Sequence, residues 1–183
     1  MPSPDTLHAQ RRSMRIASAC MALALLAACS TSPAPLAAPV PAHADPASMV
    51  AAVRAAAGSG EGELAVQPLR DPMVEDLREQ AVQHERARDY AAAAAALDQA
   101  LAITPDDPAV LQERAEAALL LRDLPGAETR ARRAFELGAK VGPLCRRHWA
   151  TVRAVRYAAS DGAGAREAST RLAACKVSAL ERF

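Results

Sequence analysis

A pattern of small and large apolar residues recurs with a period of about 34 residues from residue 71 onward, and it constrains the fold more than any other feature of this chain. The small positions of the first period are repeated in the second, as Ala81, Ala93 and Ala100 and then Ala115, Ala127 and Ala134. Small residues let two helices approach closely, while the leucines between them fill the space between successive helix pairs. The pattern therefore predicts helical hairpins that bury their apolar faces by stacking on one another.

The composition supports an all-α fold. Alanine dominates the 183-residue chain, Phe, Trp and Tyr are rare, and β-branched residues are sparse, a composition that favours helix over sheet. The length allows one domain of ordinary size. The formal net charge of +1 argues against nucleic-acid binding. We therefore predict an all-α domain built as a short array of antiparallel helical hairpins.

The N-terminus has the features of an export signal. Arg11, Arg12 and Arg15 form a cationic segment, and residues 16–28 form a largely apolar run. Thirteen helical residues rise about 20 Å, which is too short for a hydrocarbon core of about 30 Å, so a permanent transmembrane helix is not expected. The run ends in LLAACS at residues 25–30, which resembles the lipobox of bacterial lipoprotein signal peptides.

The lipobox resemblance implies cleavage before Cys29 and attachment of diacylglycerol and a further acyl chain such as palmitate to that cysteine. Residues 1–28 are then the signal peptide, with Met14 as an alternative start. The other interpretation is an ordinary cleavable signal with a chance cysteine. By the family's sorting rule, Ser30 after the cysteine favours the outer membrane, so the resemblance implies a lipid-anchored protein that faces the periplasm.

The segment after the lipobox predicts a tether. Residues 29–46 are rich in proline and alanine, which favours an extended polyproline-like conformation of on the order of 50 Å at about 3.1 Å per residue. Within residues 47–70, the sequence ASMVAAVRAAA predicts a short helix that stops at the glycines from residue 58 onward, followed by a loop.

Residues 88–107, RDYAAAAAALDQALAITPDD, resemble the second half of a tetratricopeptide repeat. Tyr90 stands where that repeat opens its second helix, and Pro105 stands where it closes. The resemblance implies a tetratricopeptide-like solenoid over residues 71–183, with repeats at about 74–107, 108–141 and 142–176. The third copy departs from the family, since Ala165 lies about one helical turn beyond the position that the period predicts and Arg153 occupies a small-residue position.

The resemblance also implies a concave, partner-binding groove that is lined by the first helix of each repeat. The family's groove positions correspond here to Glu75, Arg78, Glu79, Val82 and Glu85, then Gln112, Glu113, Glu116 and Leu119, then Arg147, Thr151 and Tyr157. The Lys and Asn with which some members grip a peptide's terminal carboxylate are missing at these positions. We therefore expect a protein or peptide of the cell envelope as partner, bound in another way.

Cys145 and Cys175 are the cysteines that follow the lipobox. In an exported protein an even pair favours a disulfide, and no His and Cys spacing here suits a metal. In the repeat register, Cys145 lies in the first turn of one helix and Cys175 in the last turn of its antiparallel partner. We predict a disulfide between them, with two buried thiols as the alternative.

No set of residues points to catalysis, to a metal or to a cofactor. The glycines at 58–62 lack the Lys-Ser or Lys-Thr of a phosphate-binding loop, and the histidines have no carboxylate or cysteine at ligand spacing. We therefore predict a non-enzymatic scaffold or assembly factor at the outer membrane. A homodimer is one way in which the exposed ends of so short an array are covered.

An alternative function rests on basic residues of the predicted third hairpin, namely Arg146, Arg147, His148, Arg153 and Arg156. A basic cluster of this kind attracts anions such as lipid phosphates or envelope glycans. The alternative prediction is therefore an envelope anion-binding module.

Overall fold

The computed structural model describes residues 45–58 and 71–176, and these two ranges contain helices and no strands. The helices are α1 (Pro46–Ala55), α2 (Pro72–Arg86), α3 (Tyr90–Ile103), α4 (Pro108–Leu120), α5 (Leu124–Leu137), α6 (Gly142–Ala158) and α7 (Gly162–Ala174). The predicted all-α class is confirmed. The signal peptide, Cys29 and the tether up to residue 44 lie outside the described residues. None of the seven helices is long and apolar enough to cross a membrane.

Aspartates start six of these seven helices. Their carboxylates accept hydrogen bonds from backbone N–H groups in the first turn, which otherwise have no partner. The capping residues are Asp45, Asp71, Asp89, Asp107, Asp123 and Asp161. Pro46 belongs to the first turn of α1 rather than to the tether as predicted, because proline fits a turn whose N–H groups need no helical acceptor.

Three turns of the same kind join α2 to α3, α4 to α5 and α6 to α7. Their central residues Arg88, Arg122 and Ser160 have φ of 61°, 61° and 58°, a left-handed conformation that reverses the chain after a helix. Each is followed by a capping aspartate. The first two turns are one repeat period apart, and the third follows after a period that is longer by about one helical turn, as the sequence predicts.

The helices pack in chain order, with α2 against α3, α4 against α5 and α6 against α7, and with further contacts from α3 to α4 and from α5 to α6. The predicted small residues lie at these contacts. Ala81, Ala93, Ala115 and Ala127 are all buried. Because their side chains are single methyl groups, neighbouring helix backbones can approach closely.

The predicted disulfide is present at the end of the described chain. It joins Cys145, in the first turn of α6, to Cys175, directly after α7, with a Cα–Cα distance of 5.7 Å. The N–H of Gly142 donates to the carbonyl of Cys175 at 2.7 Å. Trp149 packs in the same cluster and meets Phe135 edge to face at 5.0 Å. The start of α6 is thus fixed to the end of α7.

Candidate interaction groove

Helix α1 covers part of the predicted groove. It packs against α4 and α6, the helices to which the groove positions of the second and third repeats belong. Met49, Val50 and Val53 are at most 4% exposed and share one buried cluster with Leu119 and Ala150. The sequence predicts this helix but gives no indication of where it docks.

A buried polar network lies between α4 and α6. The side-chain amide of Gln112 donates to Glu116 and to the hydroxyl of Thr151, both at 2.9 Å, and its carbonyl oxygen accepts from Nδ1 of His148 at 2.8 Å. The hydroxyl of Thr151 donates to the backbone carbonyl of Arg147 at 3.0 Å. Buried polar groups cost free energy unless they are hydrogen-bonded, and the Gln112 amide meets this requirement fully.

Arg54 of α1 connects this network to α2. Its Nε donates to Oε2 of Glu116 at 2.8 Å, while Nη1 and Nη2 donate to the two carboxylate oxygens of Glu85 at 2.7 and 2.8 Å. Arg147 donates to the other oxygen of Glu116 at 2.9 Å. Hydrogen bonding to Glu85, with the charge of Glu116, raises the pKa of Arg54 further above its usual value. One buried carboxylate is thus neutralised by two arginines.

These contacts correct the expectation of an open groove at its second and third repeats. Gln112, Glu116 and Thr151 are fully buried, and Leu119 lies in the apolar cluster with α1. The physical reason is the burial of apolar surface. The aliphatic side chains of α1 pack against apolar residues of α4 and α6, and α1 thereby covers this part of the groove. The repeat register places these polar residues in the groove but does not show that residues of other helices, Arg54 and Thr151 among them, bury them there.

The groove remains open beside α1, as a pocket of about 480 Å³ between α1, α2, α3 and α4. Its apolar lining consists of Ala57, Ala81, Val82, Ala93, Leu97 and Ala117. Its polar lining consists of Arg54, Arg78, Glu85, Arg86, Glu113 and Arg147. The volume lies in the range of pockets that hold small molecules or a few side chains of a peptide.

Five of the predicted groove residues line this pocket. They are Arg78, Val82 and Glu85 of the first repeat, Glu113 of the second and Arg147 of the third. Arg78 binds Glu113 of α4 and Glu75 of its own helix, with Nε at 2.8 Å from Glu113. The hydrogen bonds to Glu113 raise the pKa of Arg78. Val82 is 46% exposed and offers an apolar contact at the mouth of the pocket. The structure therefore brings three first-repeat positions together with Glu113 and Arg147 around one opening.

Besides the four buried residues Gln112, Glu116, Leu119 and Thr151, three predicted groove residues lie outside this pocket lining. Glu75 reaches it through its hydrogen bonds to Arg78, whereas Glu79 is exposed on α2. Tyr157 is half-buried in the last turn of α6. The pocket thus includes only some of the residues that the repeat resemblance assigns to the groove.

His148 was predicted as part of a basic surface, and the structure shows it buried. Burial, together with the charges of Arg147 and Lys140, lowers its pKa to about 3, so the imidazole is neutral at physiological pH. Its Nδ1 bonds to Gln112, and its Nε2 has no hydrogen-bond partner within the described residues. His148 is therefore a core residue, because a neutral imidazole that makes one hydrogen bond can be buried between α4 and α6 without carrying a charge.

Three of the four arginines in that basic set bind groups within the protein. Arg146 donates to the carbonyl of Ala57 at 2.8 Å. Arg156 donates to Glu128 at 3.1 Å and to Asp161 at 3.0 Å. With Arg147 bound to Glu116 as well, three of the guanidinium groups are occupied by partners within the protein. Residues 45–58 and 71–176 contain no group of three or more His, Cys, Asp or Glu that could hold a metal ion.

Comparison of the chain with protein-family models, with curated proteins and with solved structures finds no match.

Proposed function

We propose that this protein is a scaffold or assembly factor that binds an envelope protein or peptide through the part of the predicted groove that stays open beside α1, between α2, α3 and α4. In this proposal the helix pairs are antiparallel, tetratricopeptide-like hairpins, and Cys29 anchors the chain to the outer membrane on its periplasmic side. The observation that carries the binding role is the open pocket, whose apolar lining is surrounded by charged side chains at the predicted groove positions. Such a lining suits a polypeptide with mixed apolar and charged residues.

The spacing of the turns supports the repeat architecture. Left-handed turns at Arg88 and Arg122 are one period of the sequence pattern apart, and the turn at Ser160 follows after a period that is about one helical turn longer. Each of these turns joins two helices that pack against each other. Repeats of this length bury their faces by stacking and expose one surface along the array. The disulfide suits an oxidising compartment such as the periplasm. These features favour an exported interaction module over an enzyme.

Site-specific crosslinking in cells tests the binding role. A photo-crosslinking amino acid replaces Val82 at the pocket, and in a matched control it replaces Leu137 at the end of α5. The two side chains are 46% and 44% exposed. We expect a crosslinked envelope protein from position 82 and not from position 137. Identical adducts from both positions, or none from position 82, would contradict the proposal.

The anchor has a separate test. We expect the chain to incorporate labelled palmitate and to fractionate with the outer membrane, and we expect Cys29→Ser to abolish both. Cys20→Ser is the control, because Cys20 lies within the predicted signal peptide and is removed with it. Retained membrane association and labelling of the Cys29→Ser chain would refute lipid anchoring.

A further inference from the structure

Helix α1 shows what kind of ligand the covered part of the groove accepts. Its buried face consists of Met49, Val50 and Val53, followed directly by Arg54. These residues stand at positions i, i+1, i+4 and i+5 and form one side of the helix, while Ala51 and Ala55 are exposed. The groove thus holds an amphipathic helix with an aliphatic face and one arginine.

We call the surface under this helix the α1 seat. Its apolar part belongs to α4 and α6 and shares one buried cluster with the aliphatic face of α1, namely Ala118, Leu119, Leu120, Ala150, Ala154 and Val155. Its polar part consists of Glu85 and Glu116. The two carboxylates come from α2 and α4 and bind a single guanidinium. The seat therefore combines an apolar surface with a receptor for arginine.

The Glu116 half of the arginine receptor is held by residues outside α1. Oε1 of Glu116 is held by Gln112 at 2.9 Å and by Arg147 at 2.9 Å, and neither of these residues belongs to α1. Oε2 is the oxygen that accepts from Arg54. Departure of α1 therefore leaves a carboxylate that is still charge-compensated, with one oxygen available to another cation. A buried acid without Arg147 would strongly disfavour such a departure.

Two features of α1 favour exchange. Its ten residues fall short of the length of about 12 residues below which an isolated helix is marginal in water, so its helical order depends on docking. It also lies outside the repeating pattern of left-handed turns that joins the other helices. The helix is thus a ligand held within its own chain rather than a part of the repeat array.

We propose that the α1 seat is an exchangeable binding site for an amphipathic helix of a partner protein, and that α1 competes for it. The partner helix carries aliphatic residues at i, i+1 and i+4 and arginine at i+5. Arg54 and Ala57, at the end of α1, also line the open pocket. A partner helix longer than α1 would therefore continue toward Val82 and Leu97 and gain contacts that α1 does not make. This inference rests on the proposed function and names its ligand class.

A labelled peptide with the sequence of residues 45–58 tests the exchange. Fluorescence anisotropy measures its binding to the full-length wild-type chain and to a full-length Val50→Asp/Val53→Asp chain. The two substitutions weaken docking of α1 and leave the seat unchanged. We expect binding to the double variant at least tenfold tighter than to the wild type, because tethered α1 competes at high effective concentration. Equal affinities would overturn the proposal.

A second peptide checks the arginine receptor. It carries Arg54→Glu, and we expect at least a tenfold loss of affinity for the double variant. Unchanged affinity, or no binding of the parent peptide to a double variant that keeps a cooperative thermal transition, would overturn the proposal.

Hydrogen exchange of the wild-type chain covers the case in which the double variant does not fold. We expect the amides of α1 to exchange at least tenfold faster than those of α4, because α1 opens alone. Equal protection of both helices would show that α1 is a fixed part of the fold. Peptide exchange without crosslinking at position 82 would refute the proposed cellular role but not the exchangeable seat. Crosslinking at position 82 without peptide exchange would refute the exchangeable seat alone.

Discussion

Acid is expected to destabilise this protein through His148. The pKa of this buried imidazole is lowered to about 3 in the folded state, against an ordinary value of about 6.5 in the unfolded chain. The unfolded state therefore binds more protons below pH 6.5, and stability falls as the pH decreases from there toward 3. Above pH 6.5 the ring is neutral in both states and contributes no pH dependence.

The expected loss follows from the structure. Nδ1 donates to Gln112 while Nε2 has no partner in the described residues, and a proton on Nε2 would be buried near Arg147 and Lys140. One unmatched proton changes the free energy of unfolding by about 1.4 kcal/mol per pH unit. Between pH 7 and pH 5 the loss is about 2 kcal/mol, a large share of the roughly 5 to 15 kcal/mol that is typical of a domain.

Urea denaturation at pH 7, 6 and 5 measures this loss. The His148→Asn variant keeps a donor toward Gln112 but cannot titrate, so we expect its free energy of unfolding to vary by about 2 kcal/mol less across this range. It is less stable at pH 7 because the smaller side chain leaves a cavity. His84→Asn controls for the same replacement at a half-buried position. Parallel pH profiles of wild type and His148→Asn would refute the assignment.

Two further predictions concern stability. Reduction of the Cys145–Cys175 disulfide, or replacement of both cysteines by serine, should lower the free energy of unfolding by about 3 to 4 kcal/mol, since the bond closes a loop with a sequence separation of 30; a loss below about 1 kcal/mol in urea denaturation would contradict this. Arg122→Gly should stabilise the chain by about 0.5 to 1 kcal/mol, because φ is 61° there. The control Arg133→Gly, within α5, should destabilise the chain by about 1 kcal/mol. If both substitutions change the thermal stability in the same direction, the strain argument is refuted.

The sequence predicts the features that depend on local chemistry. The turn spacing and the small residues at helix contacts are encoded within one or two helices, so that the helix pairs and the Cys145–Cys175 disulfide follow from the repeat register. The first-repeat residues around Val82 likewise lie at the pocket. Each of these predictions needed only the position of a residue on its own helix and the pairing of that helix with its neighbour along the chain.

The features that the sequence does not predict depend on contacts between distant helices. The aliphatic pattern of α1 fits any apolar surface, and nothing within its ten residues specifies α4 and α6. The repeat register assigns Gln112 and Glu116 to the open groove, whereas their burial depends on Thr151, His148 and two arginines from other helices. The spacing of four between Gln112 and Glu116 was the available signal, since it places both on one face of α4.

The geometry at Arg54 also sets what can replace α1. Three different guanidinium nitrogens are used at once, with Nε on Glu116 and the Nη pair on Glu85. A lysine ammonium is a compact charge without this planar fork, so it could bind either carboxylate but could not bridge both in the same way. Because Arg147 already compensates Glu116, a partner gains less from bringing charge alone than from matching the fork. The seat should therefore select arginine over lysine, and it should do so through geometry more than through net charge.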